Sequence, residues 1–153
     1  MAKCQAGIAW ERDGAVFTDR RYSRAHRWFF DGGIEVPASS SPGVVREPLS
    51  DASAVDPEEA FVAAISSCHM LSFLDLAARR GFTVESYTDE AAGVMRKNAR
   101  GKIAVTRVTL HPRITFAGDK RPTREDIDDL HHEAHEVCFI AASVKTDIQI
   151  ESA

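Results

Sequence analysis

One segment limits what this chain can become. From Asp56-Pro57-Glu58-Glu59 to Arg79-Arg80-Gly81 the sequence carries the start and stop signals of a single long helix. Asp56 suits the N-cap, Pro57 the first helical position, and Glu59 stands at N3, where a capping box needs its acceptor. At the far end Arg79 and Arg80 suit the negative pole of the helix, and Gly81 can take the left-handed conformation that closes it. Between these ends Phe61, Ala64, Ile65, Cys68 and Leu71 recur at helical spacing. Twenty-four residues at about 1.5 Å each give a rod of roughly 36 Å. Val62, Ala63, Phe73 and Leu74 make most of its remaining surface apolar as well. A helix apolar nearly all round has to be covered on every side. A chain of 153 residues can hardly supply that cover alone, so the helix predicts an obligate homodimer.

Size and charge narrow the rest. The 153 residues and 16.8 kDa suit one α+β domain spanning residues 1–153. Nineteen basic residues against 23 acidic ones leave a net charge of −4, which disfavours a nucleic-acid partner. Met1-Ala2-Lys3-Cys4-Gln5 lacks the apolar stretch of an export signal. The apolar run from Ala60 to Ala78 is interrupted by Ser66, Ser67, His69, Ser72 and Asp75, so it reads as a buried helix and not as a membrane span. The expected location is the cytoplasm, where a cysteine pair is more often catalytic or metal-binding than structural.

The other elements are shorter. Residues 3–10 and 15–19 read as strands, and Asp31-Gly32-Gly33 marks a turn before Ile34-Glu35-Val36. Pro37 to Ala54 is rich in Ser, Pro and Asp and reads as a linker. Residues 83–95 and 102–117 read as a long hairpin. Its apolar alternation changes phase between Val105 and Val108, which predicts a bulge near Thr106-Arg107. A second helix is expected from Pro122-Thr123 to about Cys138, with Ile127, Leu130, Ala134 and Val137 turned inward. Val144, Thr146, Ile148 and Ile150 suggest a closing strand.

Two cysteines occupy informative places. Cys68 lies midway along the long helix in Ser66-Ser67-Cys68-His69, and Cys138 closes the second helix. Packing alone is a standing alternative for each, because free cysteine is among the most buried residue types. A nucleophilic cysteine needs its thiolate stabilised, usually by a nearby cation that a carboxylate can hold in place. Arg20, Arg21, Arg24 and Arg27 are candidate cations, and Glu58 and Glu59 candidate carboxylates. Oxidation to a sulfenic acid would then call for a second thiol to condense with it. A rival reading is zinc: His131, His135 and Cys138 fall at i, i+4 and i+7, and Cys68 would complete four ligands. Cys4 reads as a packed strand residue. No cofactor is expected.

Asp56-Pro57-Glu58-Glu59-Ala60-Phe61-Val62-Ala63-Ala64-Ile65-Ser66-Ser67-Cys68-His69 resembles the signature of the OsmC/Ohr family, the osmotically inducible and organic hydroperoxide resistance proteins. In that family an Asn/Asp-Pro-Glu start precedes the peroxidatic cysteine by ten residues after the Glu, as Glu58 precedes Cys68. Ala134-His135-Glu136-Val137-Cys138 resembles its second motif, which carries the resolving cysteine. The likeness is good over about residues 55–150 and looser before them. It implies an intertwined α+β homodimer, with a long central helix against antiparallel sheets. The implied activity is reduction of organic hydroperoxides or hydrogen peroxide by a thiol reductant, a lipoyl group or another dithiol. A non-catalytic binding protein on the same fold is the further alternative.

The implied roles are Cys68 as nucleophile, Cys138 as resolving thiol, Arg24 lowering the Cys68 pKa and Glu58 orienting Arg24. Arg21 and Arg27 are the neighbours that could serve in place of Arg24. Ten helical residues hold Glu58 about 15 Å from Cys68 on a straight helix. Either the helix breaks, or Glu58 acts through Arg24 or from the partner chain. Two departures from the family pattern mark a divergent subgroup. Phe139 follows Cys138 where the family usually has Pro, and Tyr22-Ser23-Arg24-Ala25-His26-Arg27-Trp28 differs from the organic-hydroperoxide branch.

Overall fold

The computed structural model describes residues 3–152. The elements are β1 (Ala6–Ala9), β2 (His26–Phe30), β3 (Glu35–Ala38), α1 (Pro57–Arg79), β4 (Thr83–Asp89), β5 (Ala92–Lys97), β6 (Ile103–Leu110), β7 (Pro112–Ala117), α2 (Arg124–Val137), α3 (Phe139–Ser143) and β8 (Asp147–Ile150). This is the α+β architecture the sequence predicts. The chain divides into two compact units, Met1–Ala60 and Phe61–Ala153.

In the first unit β1, β2 and β3 form an antiparallel sheet in that order. Trp28 of the central strand faces Ile8 on one side and Val36 on the other. The strand expected at 15–19 does not form. Asp13, Phe17 and Arg20 have φ of 47°, 73° and 64°, and left-handed residues interrupt the extended backbone a strand requires. β2 fills the place instead, through a segment whose Arg and His residues mask its alternation. The linker-like stretch is tied down at both ends: Ser39 N donates to Val55 O at 3.0 Å and Val55 N to Pro37 O at 3.1 Å. The capping box at the start of α1 is as read, with Glu59 N donating to Asp56 Oδ1 at 2.8 Å and Asp56 N to Glu59 Oε2 at 3.3 Å.

In the second unit α1 buries one stripe, Ile65, His69, Phe73 and Ala77, at i, i+4 spacing. Gly81 ends the helix at φ +76°, and Phe82 N reaches back to Ala77 O at 2.9 Å, the six-residue closure that a left-handed C′ residue permits. Two apolar clusters flank the stripe. Phe73, Ala77, Phe82, Leu130 and Ala134 join α1 to α2, while Ile65, Val108 and Leu110 join α1 to β6. Burying a side chain such as Phe73 is worth roughly 2–3 kcal/mol. By length and composition alone α1 could cross a membrane, since its most apolar window has mean hydropathy 1.6, with 22% of that window buried in this chain.

The long hairpin is reorganised. β5 pairs with β6, but β4 leaves them to pair with β7 in a separate two-stranded sheet. Asp89, at the end of β4, makes the break: its Oδ1 accepts from the His111 amide at 2.6 Å, holding the two strand exits together. The expected bulge is present, because Val94 faces Arg107 while Met95 faces Val105, leaving Thr106 as the extra residue. Gly93 lies beside it, where a Cβ would stand 2.7 Å from Val62 Cγ2. Thr123 caps α2 in a capping box with Asp126. The closing strand shortens to β8, parallel to β6, because α3 takes up Phe139–Ser143.

Candidate active site

Helix geometry and one cap bring two distant thiols together. Cys138 ends α2 and begins α3, with its Sγ accepting from the Ala141 amide at 3.4 Å. Its backbone there is extended (φ −70°, ψ 115°), the conformation a following proline would favour, so Phe139 does not prevent it. Cys138 is 1% exposed, Cys68 is partly exposed, and both thiols are free. Burial pushes the Cys138 thiol up from its usual range, and the adjacent Cys68 thiol, as hydrogen-bond partner and neighbouring charge, pushes it further. The Ala141 amide opposes both. A thiol held neutral in this way serves as a nucleophile only when a base takes its proton.

The residue after Cys68 belongs to a buried pair of imidazoles. His69 Nε2 and His131 Nδ1 are 3.0 Å apart, with rings stacked at 5.3 Å and 10°. Phe73 packs on His131 at 4.6 Å. Desolvation lowers both pKa values to about 4, and His131 and His135 add like charge against His69. Both rings are therefore neutral near pH 7. His131 Nε2, His135 Nδ1 and the Tyr87 hydroxyl are buried without hydrogen-bond partners. Burial, with the Asp89 carboxylate second, pushes the Tyr87 phenol upward. A further clasp fixes α1 near Cys68: Ser66 Oγ donates to Asp89 Oδ2 at 2.5 Å.

Arg24 and Glu58 line a cleft of about 490 Å³ in the first unit, together with Trp10, Phe17, Tyr22 and His26. Trp10, Phe17 and Tyr22 pack on one another at 4.6–5.7 Å. The Arg24 guanidinium lies 3.8 Å over the Tyr22 ring and donates to the carbonyls of Arg20, at 3.0 Å, and Tyr22. His26 is fixed as one tautomer: Trp28 Nε1 donates to its Nε2 at 2.9 Å, so its Nδ1 carries the proton towards Arg24 O at 2.8 Å. Arg27 pairs instead with Glu35 at 3.3 Å, so of the candidate arginines it is Arg24 that faces the cleft with Glu58.

The expected residues thus fall into two groups, Cys68 with Cys138 and Arg24 with Glu58. α1 runs unbroken from Pro57 to Arg79, which removes the helix break as a way for Glu58 to approach Cys68. The four donors of the zinc reading do not converge: among the described residues no three His, Cys, Asp or Glu side chains are grouped to hold a metal ion. His131 turns to His69 instead. Sequence reasoning missed the His69–His131 pair and the Ser66–Asp89 clasp. The place of His69 on the inward i, i+4 stripe was the available signal for the first.

A family model described as OsmC-like protein matches residues 50–153. An OsmC-like protein of unknown function from Vibrio cholerae is 52% identical, with 100% of each chain covered and a TM-score of 0.98. An organic hydroperoxide resistance protein from Elizabethkingia anophelis is 19% identical, covering 99% of this chain and 94% of its own, with a TM-score of 0.71. The organic hydroperoxide resistance protein OhrB of Bacillus subtilis is 16% identical, covering 99% and 98%, with a TM-score of 0.69. At those identities the last two show a shared fold. No curated protein matches the chain.

Proposed function

Because the chain belongs to the OsmC family, we propose that it is a thiol-dependent hydroperoxide reductase working through Cys68 and Cys138. The observation that carries this reading is that two thiols seventy positions apart in sequence are free and near enough for Cys68 to raise the Cys138 pKa. The names of the fold relatives, organic hydroperoxide resistance proteins among them, support a redox role of this kind.

In this reading the Cys68 thiolate attacks the distal oxygen of a hydroperoxide. The O–O bond breaks, the alkoxide takes up a proton and leaves as alcohol, and Cys68 becomes a sulfenic acid. Cys138 then attacks that sulfur, forming a Cys68–Cys138 disulfide and releasing water. A dithiol reductant, lipoyl or similar, returns both thiols. Arg24 is assigned to stabilising the thiolate and orienting the peroxide, and Glu58 to orienting Arg24. Both act from the partner subunit of a homodimer. The apolar character of α1 beyond its single buried stripe supports that dimer. We read α1 accordingly as the core helix of a soluble, cytoplasmic assembly.

The test is consumption of cumene hydroperoxide with a dithiol reductant. Wild type should turn over, Cys68→Ser should lose activity entirely, and Cys138→Ser should stop at a trapped Cys68 sulfenate. Equal, negligible rates for wild type and Cys68→Ser would leave only a binding role.

A further inference from the structure

We propose that the cleft walled by Trp10, Phe17 and Tyr22 selects benzylic hydroperoxides, in which an aromatic ring stands one carbon from the peroxide. The inference names a substrate class for the reductase reading above and rests on it. The three rings are built as one wall. Phe17 and Tyr22 stack at 4.6 Å and 28°, Trp10 meets the Tyr22 ring edge-on at 5.4 Å and 70°, and Trp10 lies 5.7 Å from Phe17. Trp10 Nε1 donates to Ser23 O at 2.8 Å, which closes the intervening loop and engages the one polar atom of that indole. The cleft holds about 490 Å³, within the roughly 300–1,000 Å³ of small-molecule sites.

Phe17 is the informative member of the wall. Its φ is 73°, a left-handed conformation in which a bulky residue is an outlier. Glycine suits such a backbone, and Phe17 belongs to neither apolar core cluster. It is 43% exposed, so burial does not account for the strain it carries. A strained bulky residue kept at the rim of a cleft marks a functional position, and what Phe17 supplies there is a ring.

The polar end of the cleft lies close to this wall. His26 has both ring nitrogens engaged, with Arg24 O and with Trp28, and Ser39 Oγ accepts from the Asp51 amide at 3.0 Å. The charged groups among the lining residues are Arg24 and Glu58. The Arg24 guanidinium is held 3.8 Å over the Tyr22 ring by its bonds to Arg20 O and Tyr22 O. A peroxide oriented by Arg24 therefore brings to the ring wall the atoms one or two bonds further along its substrate. A phenyl group at that place gains edge-to-face and offset contacts beyond the area it buries. A saturated group gains the area alone.

The experiment uses full-length wild type, Phe17→Gly, which removes the ring from a backbone that glycine accepts, and Phe17→Tyr, which keeps the ring. In the binding arm, cumyl alcohol and its saturated cyclohexyl counterpart are titrated while heteronuclear NMR follows the Trp10 indole N–H. Neither alcohol can react, so this arm needs no peroxidase activity. Wild type and Phe17→Tyr should bind the aromatic alcohol roughly 10-fold more tightly than the saturated one, and Phe17→Gly should not distinguish them. In the kinetic arm, the kcat/KM for cumene hydroperoxide is divided by that for tert-butyl hydroperoxide, which shares the tertiary carbon and lacks the ring. This ratio should fall by a similar factor in Phe17→Gly and return in Phe17→Tyr. Equal affinities in wild type, no binding of either alcohol, or a preference that survives in Phe17→Gly would overturn the proposal. A wild type that prefers cumyl alcohol but consumes neither hydroperoxide would instead overturn the reductase reading and leave the cleft its aromatic ligand. Turnover of both hydroperoxides without any preference would do the reverse.

Discussion

His69 Nε2 and His131 Nδ1 meet at 3.0 Å between α1 and α2, two neutral imidazoles joined across 62 positions of sequence. Their bond spans the seam between the residues that carry Cys68 and those that lead to Cys138. Protonating the accepting ring at the shared nitrogen would break that bond, and a charge on either ring would sit where water cannot solvate it.

Stability should therefore depend on acid. The folded pKa values lie near 4, against 6.5 for a free imidazole, so the unfolded chain binds protons first as pH falls. The stability gained by keeping the rings neutral is complete above about pH 6.5 and is lost progressively down to about pH 4. On the order of 3 kcal/mol should disappear across that window. Urea unfolding between pH 7 and 4 measures this slope. His131→Phe keeps the stacking but removes one titrating group, and should be less stable at pH 7 with a visibly shallower slope.

A second expectation concerns the close approach beside the bulge. A Cβ on Gly93 would meet Val62 Cγ2 at 2.7 Å and Val105 Cγ1 at 3.3 Å. Gly93→Ala should cost about 1–3 kcal/mol by overpacking. Adding Val62→Ala removes the nearer methyl, so the double variant should lose less than the two single losses added together. Simple additivity in urea melts would place the strain elsewhere.

The cysteines should separate by reactivity. Cys4 is exposed, whereas Cys138 is 1% exposed with its thiol pushed upward. Under limiting iodoacetamide at pH 7.5, peptide mapping should find Cys4 modified well before Cys138. Denaturant should abolish the difference.

What the sequence made legible was local chemistry. Asp56, Glu59 and Gly81 defined α1 because caps act within a turn of the residues that make them. Thr106 announced its bulge because a change of phase is a local event. The split of the hairpin into two sheets was not legible, since it depends on Asp89 accepting from His111 across the fold. Loop residues at positive φ (Asp13, Phe17, Arg20) hid the absence of a strand at 15–19, because none of them is glycine. The proposed cysteine pair was readable from motif and spacing. The imidazole pair was not, because a histidine on an inward stripe gives no sign of which distant ring it will meet.

Leu71 bears on the homodimer. It is 61% exposed in this chain, although it lies in a helix whose apolar window has mean hydropathy 1.6 and is 22% buried. Leaving such a surface in water is unfavourable by about 25 cal/mol per Å², and a second copy of the same helix is the cover we propose for it. Leu71→Asp would place a charge in that buried seam while touching none of the core residues Ile65, Phe73 or Ala77. Sedimentation velocity should find wild type as a dimer and the variant largely monomeric, with α-helical content retained by circular dichroism but a lowered Tm. Hydroperoxide turnover should fall with the dimer, because Arg24 and Glu58 are assigned to Cys68 of the opposite subunit. A variant that stays dimeric and fully active would remove α1 from the interface. A monomer that keeps full activity would return Arg24 and Glu58 to their own chain.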